Sequence, residues 1–169
     1  MKWGKMGNIR FRGFFKHALD DRKRLAIPSQ FRAVLIAESE GRVVMTPGYD
    51  HEIAVYALRI WQEFEDKELL TLSMDKIQAR RYRRHFTFGI KEDHLDAQGR
   101  ILIPDFLLEY SGITKDVIIV GEINYFTLWS PENYQKIKEE IDKHYLEDAE
   151  TIEKIRRYHE DPGRGSDEK

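Results

Sequence analysis

The segment LDDRKRLAIP, from Leu19 to Pro28, sets three adjacent cations, Arg22, Lys23 and Arg24, behind two acids and ahead of a short apolar run closed by proline. Residues of these types at a turn can bind a polyanion. A guanidinium or ammonium carried on a tight loop meets phosphate oxygens, and arginine can also grip a guanine edge through two parallel hydrogen bonds. Asp20 opens the turn, where a short carboxylate accepts hydrogen bonds from backbone N–H groups two residues on. The same residues have a plainer use, in which Asp20 and Arg24 pair and only fix the loop. Both readings are open at this stage.

A second segment, LDAQGRILIP (Leu95 to Pro104), repeats the first. Sliding the chain by 76 residues superposes Gly13 on Gly89, Leu19 on Leu95, Asp20 on Asp96, Arg24 on Arg100, Ile27 on Ile103 and Pro28 on Pro104. Six identities in sixteen ungapped positions compare with about one by chance at ordinary residue frequencies, which identifies a duplicated unit. The copies differ at their tips. Gly99 precedes Arg100, a place where left-handed backbone is cheap only for glycine. Lys23 stands there in the first copy, and a positive φ would cost it about 1 kcal/mol relative to Gly. Strain of that kind collects at functional sites. Gln98 replaces Arg22. The first copy is therefore expected to be the contact-making one. Asp20, Asp96 and Gly99 are expected to shape the turns.

The elements that must position these turns are legible as two similar runs: strand, turn, strand, short helix, strand, hairpin, strand, helix. LAI and ILI read as short strands, and Pro28 and Pro104 suit the first turn of the helix that follows. Phe31, Val34 and Leu35 mark one face of the first short helix; Leu107 and Leu108 mark the second, which stops at Gly112. VVM (43–45) resembles VIIV (117–120), and IAVY (53–56) resembles YFTLW (125–129). GYDHE and GEINY read as hairpin loops between them. Further helices are expected near 58–68, 74–86 and 131–159. The last opens on Ser130 as cap with Pro131 behind it. Its apolar stripe runs through Tyr134, Ile137, Ile141, Tyr145, Ala149, Ile152 and Ile155.

The totals restrict the partners. The chain has 169 residues, 41% hydrophobic and 34% charged, with no cysteine and a net charge of −2. Disulfide and thiolate chemistry are excluded, which is compatible with a reducing compartment but does not identify one. No signal peptide is evident, and the longest apolar run, IAVYAL (53–58), falls far short of the roughly 20 residues of a membrane helix. The expectation is a soluble protein of the cytoplasm with no membrane partner. Local charge says more than the mean. Residues 1–34, which include Arg12 and Lys16, hold nine Lys/Arg against two acids; residues 76–91 hold six and no acid; residues 131–160 hold six against nine acids. The basic run KIQARRYRRHF (76–86) has two readings. It is a second phosphate surface, or it meets the acids of EEIDKHYLEDAE (139–150) on the same or a neighbouring subunit. The histidines at 17, 51, 85, 94, 144 and 159 form no i, i+3 or i, i+4 pair. The chain has no G-x-S-x-G, no P-loop and no dinucleotide glycine signature. Asp93, His94 and Asp96 are close in sequence but fit loop hydrogen bonds better than a metal. Trp3, Trp61 and Trp129 are expected in core or interface. No enzyme, cofactor, metal or small-molecule substrate is indicated.

The paired motifs LDDRKRLAIPSQFR and LDAQGRILIPDFLLEYSG, with RFRG (10–13) before the first and VIIVGEINYFTLW after the second, resemble the MraZ family of bacterial transcriptional regulators of the division and cell-wall gene cluster. The resemblance covers roughly residues 9–145. It implies an α+β fold in which each half is a swapped-hairpin β-barrel unit of the SpoVT–AbrB type. The halves would form a pseudo-dimer within one chain, with peripheral helices and a long C-terminal helix. The boundaries expected are an extension at 1–8, a first repeat at 9–70, a connecting basic helix at 71–86, a second repeat at 87–160 and a disordered tail at 161–169. The resemblance further implies a ring of identical subunits, associated with the nucleoid. The ring would bind short direct repeats of double-stranded DNA upstream of its own operon and usually repress it. The family's DNA-contacting arginine falls on Arg24, the basic position two before it on Arg22, and the second motif's counterpart on Arg100. Lys23, Arg12 and Lys16 complete the DNA-binding set. Lys23 replaces the family's usual glycine. A rival from another class is an interaction scaffold that never touches DNA. A single-copy antitoxin-like regulator is a third reading, and the duplication disfavours it.

Overall fold

The computed structural model describes residues 10–160. The extension assigned to 1–8, with Trp3, and the tail assigned to 161–169 lie outside the described residues. The cationic turn joins β1 (Phe14–Ala18) to β2 (Arg24–Ala26). Pro28 then caps α1 (Ser29–Ser39), and its carbonyl accepts from the N–H groups of Phe31 (2.9 Å) and Arg32 (3.0 Å). Pro104 does the same for α4 (Asp105–Ser111), accepting from Leu107 and Leu108 at 3.1 Å. Both prolines sit one place ahead of the expected first-turn position. Their extended backbone, with ψ of 138° and 151°, makes them caps. The α4 helix ends at Gly112 in a left-handed conformation, as expected.

Hairpins β3 (Arg42–Pro47) with β4 (Ile53–Ala57), and β7 (Asp116–Gly121) with β8 (Phe126–Trp129), follow the two short helices. The second copy's turn joins β5 (Lys91–His94) to β6 (Arg100–Leu102). Six strands form an antiparallel sheet in the order β1-β7-β8-β4-β3-β5, and β2 pairs β6 in a separate ribbon. Four of these pairings cross the repeat, among them β4 on β8 with Ala54 opposite Thr127. β1 lies on β7, with Lys16 opposite Ile118; β5 lies on β3, with Asp93 opposite Val43; β2 lies on β6, with Leu25 opposite Ile101. Where closed barrels were expected, the described strands leave the large sheet open at β1 and β5. The hairpin from β1 into β2 is bridged at Leu19 and Leu25 alone.

The repeats share one core. Leu25, Ile27, Phe31 and Leu35 of the first pack with Ile101, Ile103, Leu107 and Ile119 of the second. Burial of each such side chain stabilises the fold by about 1.5–3 kcal/mol. Phe11, Phe31 and Phe126 form its aromatic centre, with centroids 5.1–5.2 Å apart. A smaller cluster joins Val44, Leu58, Trp61, Leu69 and Phe86. Trp129 is also buried, and its indole N–H donates to Thr127 Oγ1 at 2.8 Å.

The helix expected at 58–68 is α2 (Leu58–Phe64) followed by a π-helical turn, Glu65–Leu69. α3 covers Ile77–Thr87, starting later than expected, and Arg80 folds back to donate to the carbonyls of Met74 (2.9 Å) and Asp75 (3.0 Å). Phe86 is buried, but Tyr82, one turn before it, is 40% exposed. α5 covers Pro131–Glu160, and Ser130 Oγ accepts from the Asn133 N–H at 3.2 Å. The chain divides into two compact units after Tyr134. Taken by itself, the described part of the second, 135–160, is helix with i, i+4 pairs such as Lys138–Asp142 (2.8 Å) and Arg157–Glu153 (3.4 Å). Among the described residues no helix is long and apolar enough to cross a membrane.

Candidate nucleic-acid interface

The two turns have the same internal wiring. Asp20 Oδ1 accepts from the backbone N–H groups of Arg22 and Arg24 at 2.9 Å, and its Oδ2 accepts from Arg24 Nε at 2.7 Å. Asp96 Oδ1 accepts from Gln98 and Arg100 N–H at 2.9 Å, and its Oδ2 from Arg100 Nε at 2.8 Å. Each turn is closed on the backbone as well, Lys23 N to Asp20 O at 3.0 Å and Gly99 N to Asp96 O at 2.9 Å. The plainer reading, a pair that fixes the loop, is thus present, and it also aims the arginine. The Arg24 N–H, then the guanidinium and the Arg22 N–H, hold the Asp20 carboxyl below the usual carboxylate range against the opposing effect of burial. Arg100 and Gln98 do the same for Asp96.

The tips differ, for a steric reason. Lys23 has φ 61° and Gly99 φ 73°, so both occupy left-handed backbone. Arg32 lies over Gly99, its Nε 3.0 Å from where a Cβ would stand, and its Nη1 donates to Gln98 O at 3.4 Å. A side chain at position 99 would displace it. Lys23 is exposed, and its ammonium pairs with Asp105. The 76-residue counterpart of Arg32 is Leu108, a core residue, so no such side chain covers Lys23.

Both arginines reach the outer face of the β2–β6 ribbon. Leu25 and Ile101 point into the core; Arg24, Ala26, Arg100 and Leu102 alternate outward. Arg100 Nη1 comes within 3.5 Å of Asp20 Oδ2, so one carboxylate lies between the two arginines. Arg100 is the more tied of the pair, since it also donates to the Gln98 side chain. Arg22 is exposed at the tip. Arg12 and Lys16 are exposed but are not gathered at the tip. Lys16 lies in β1, with its ammonium 5.9 Å from the Phe14 ring, and strand spacing puts it roughly 13 Å along the chain from Asp20.

Two further residues position the ribbon: Asp93, expected from sequence to make loop hydrogen bonds, and His17, whose role was not read from sequence. His17 Nδ1 donates to Ala26 O at 2.5 Å, holding the outer edge of β2. Asp93 Oδ2 accepts from Leu102 N at 2.9 Å, holding the outer edge of β6. Positions 17 and 93 are 76 residues apart, as are 26 and 102. The repeat register could have matched these positions, but a carbonyl and an N–H as their respective targets appear only in three dimensions.

A family model described as "MraZ protein, putative antitoxin-like" matches residues 10–85 and 87–155, one stretch for each repeat. The chain belongs to the MraZ family. Among curated MraZ relatives, the "Transcriptional regulator MraZ" of Thermoanaerobacter pseudethanolicus is 37% identical over 143 residues, 85% of this chain and 96% of its own. That of Caldanaerobacter subterraneus subsp. tengcongensis is 37% identical over 141 residues, 83% and 95% of the two chains. That of Natranaerobius thermophilus is 35% identical over 142 residues, 84% and 96%.

Proposed function

We propose that this MraZ-family chain is a sequence-specific DNA-binding transcriptional regulator without catalytic activity, acting on short direct repeats upstream of its own division and cell-wall operon, chiefly as a repressor. Its setting is the cytoplasm and the nucleoid. The observation that carries the reading is the exposed cationic tip of the first turn, with Arg24 aimed by Asp20 and flanked by Arg22 and Lys23. Arg22, Lys23 and Arg24 make the principal contacts; Arg100, Arg12 and Lys16 add to them. Asp20, Asp96 and Gly99 keep the turns in shape. The cross-repeat pairings support an intrachain pseudo-dimer of swapped hairpins, with repeats at 9–70 and 87–160 and a linker at 71–86.

One turn supplies two or three phosphate contacts, each steepening the log–log salt dependence by about 0.9 on duplex DNA. That is weak binding for one subunit. A ring of identical subunits presents several turns at fixed spacing, and later contacts become intramolecular. Head-to-tail subunits match direct repeats, as two-fold dimers match palindromes. The test is fluorescence anisotropy with DNA upstream of its own gene across a salt series, for wild type and Arg24→Ala, with subunit stoichiometry measured alongside. Tight, steeply salt-dependent binding that is lost in the variant supports the reading. No binding by wild type at low salt sinks it and leaves the scaffold.

A further inference from the structure

We propose that the outer face of the β2–β6 ribbon enters the major groove, where Leu102, with Ala26, reads thymine through its 5-methyl group beside the arginines. This inference rests on the DNA-binding reading above.

A lone exposed leucine needs no explanation. Leu102 acquires one from its register. It is 49% exposed on a three-residue strand whose next residue inward, Ile101, is fully packed. It stands directly opposite Arg24, and Ala26 stands opposite Arg100. The outer face is thus a four-residue checker, with arginines on one diagonal and apolar side chains on the other. Directly opposite residues in an antiparallel pair lie about 4.5–5.5 Å apart at Cβ, and bases along a strand rise about 3.4 Å. Arg24 and Leu102 can therefore address the same or adjacent base pairs. The major groove admits a two-stranded ribbon, offers guanine O6 and N7 to arginine, and offers thymine's methyl group to an apolar side chain. The chemistry of the four residues corresponds to that pair of base features.

The surroundings select duplex DNA over a protein strand. The carbonyl of Ala26 and the N–H of Leu102, on the two outer edges of the ribbon, are already bonded to His17 and Asp93. An added strand would have to displace those bonds. Arg22 and Lys23 meanwhile flank the ribbon with charge suited to the phosphates bordering a groove. His17 and Asp93 act here as positioning residues: they hold the ribbon's height and tilt above β1 and β5.

The experiment uses the full chain and a duplex selected by it from a random-sequence pool, resynthesised with deoxyuridine in place of thymine at one position at a time. Deoxyuridine lacks only the methyl group. At one or more positions the replacement is expected to weaken wild-type binding about fourfold, the effect of one buried methyl. Leu102→Ala is expected to bind the thymine and deoxyuridine forms alike at that position. Its melting temperature should match wild type, since the side chain is exposed. A selected site without thymine, a wild type indifferent to deoxyuridine throughout, or a Leu102→Ala variant that still discriminates would overturn the inference. Arg24→Ala separates the two levels. If it loses binding while methyl sensitivity is absent, DNA binding stands and the leucine reading fails. If wild type selects no duplex, both fail.

Discussion

Arg24 and Arg100 occupy equivalent places but are held to different degrees. Arg24 Nε is committed to Asp20, whereas Arg100 bonds Asp96, Gln98 and, at 3.5 Å, Asp20. Arg24→Ala is expected to lower affinity for the selected duplex by about 1–3 kcal/mol, the worth of a good bidentate base contact; Arg100→Ala should cost less in the same titration. Lys23 offers a separation of stability from binding. Lys23→Gly removes a strain of about 1 kcal/mol and a surface pair worth about 0–1 kcal/mol. Its urea midpoint should therefore hold or rise, while the salt slope falls by about 0.9 per subunit contact. The aspartates set the acid limit. Their folded pKa values are lowered, so their stabilisation is complete above the unfolded value of about 3.9 and is lost as pH falls through the lower folded values. The difference in urea midpoint between wild type and Asp20→Asn should be constant from pH 7 to 5 and vanish in stronger acid.

At the scale of elements, close backbone approaches decide the tolerance. A Cβ on Gly121 would stand 2.5 Å from the Phe11 carbonyl, where the chain before β1 crosses the end of β7. Gly121→Ala is expected to destabilise by about 1–3 kcal/mol, as overpacking does, read by thermal melting. The elements themselves were largely legible, because their signals are local: Pro28 and Pro104 before helices, Gly112 after one, Asp20 and Asp96 opening turns. Pairing was not. The side chains of β1 alternate between exposed and half-buried, which says nothing about whether a strand of its own repeat or of the other lies alongside. Register belongs to the assembled sheet. Glu52 is a similar case. It reads as one more loop acid, yet it is buried and accepts from the Tyr49 (3.2 Å) and Asp50 (2.8 Å) N–H groups, organising the β3–β4 loop from within. The role of Arg32 over Gly99 depended on a contact across 67 residues and was equally invisible.

At the scale of the whole molecule, binding should depend on repeat number. Duplexes with two or three direct copies of the site are expected to bind about 10²–10⁴-fold more tightly than a single copy, and half-turn insertions between copies should abolish the gain; electrophoretic mobility shifts would show both. The same scale gives the cross-repeat pairings a consequence in time. β1 is made about a hundred residues before its partner β7, a wait of roughly 5–20 s at ordinary elongation rates. For most of that interval the nascent chain carries the charged tip with neither β7 beneath β1 nor β6 beside β2. A ribosome that stalls before β6 leaves a fragment unable to build the ribbon, so such truncated products are unarmed rather than half-active. Competence arrives in a single late step, when the second half emerges and completes the first.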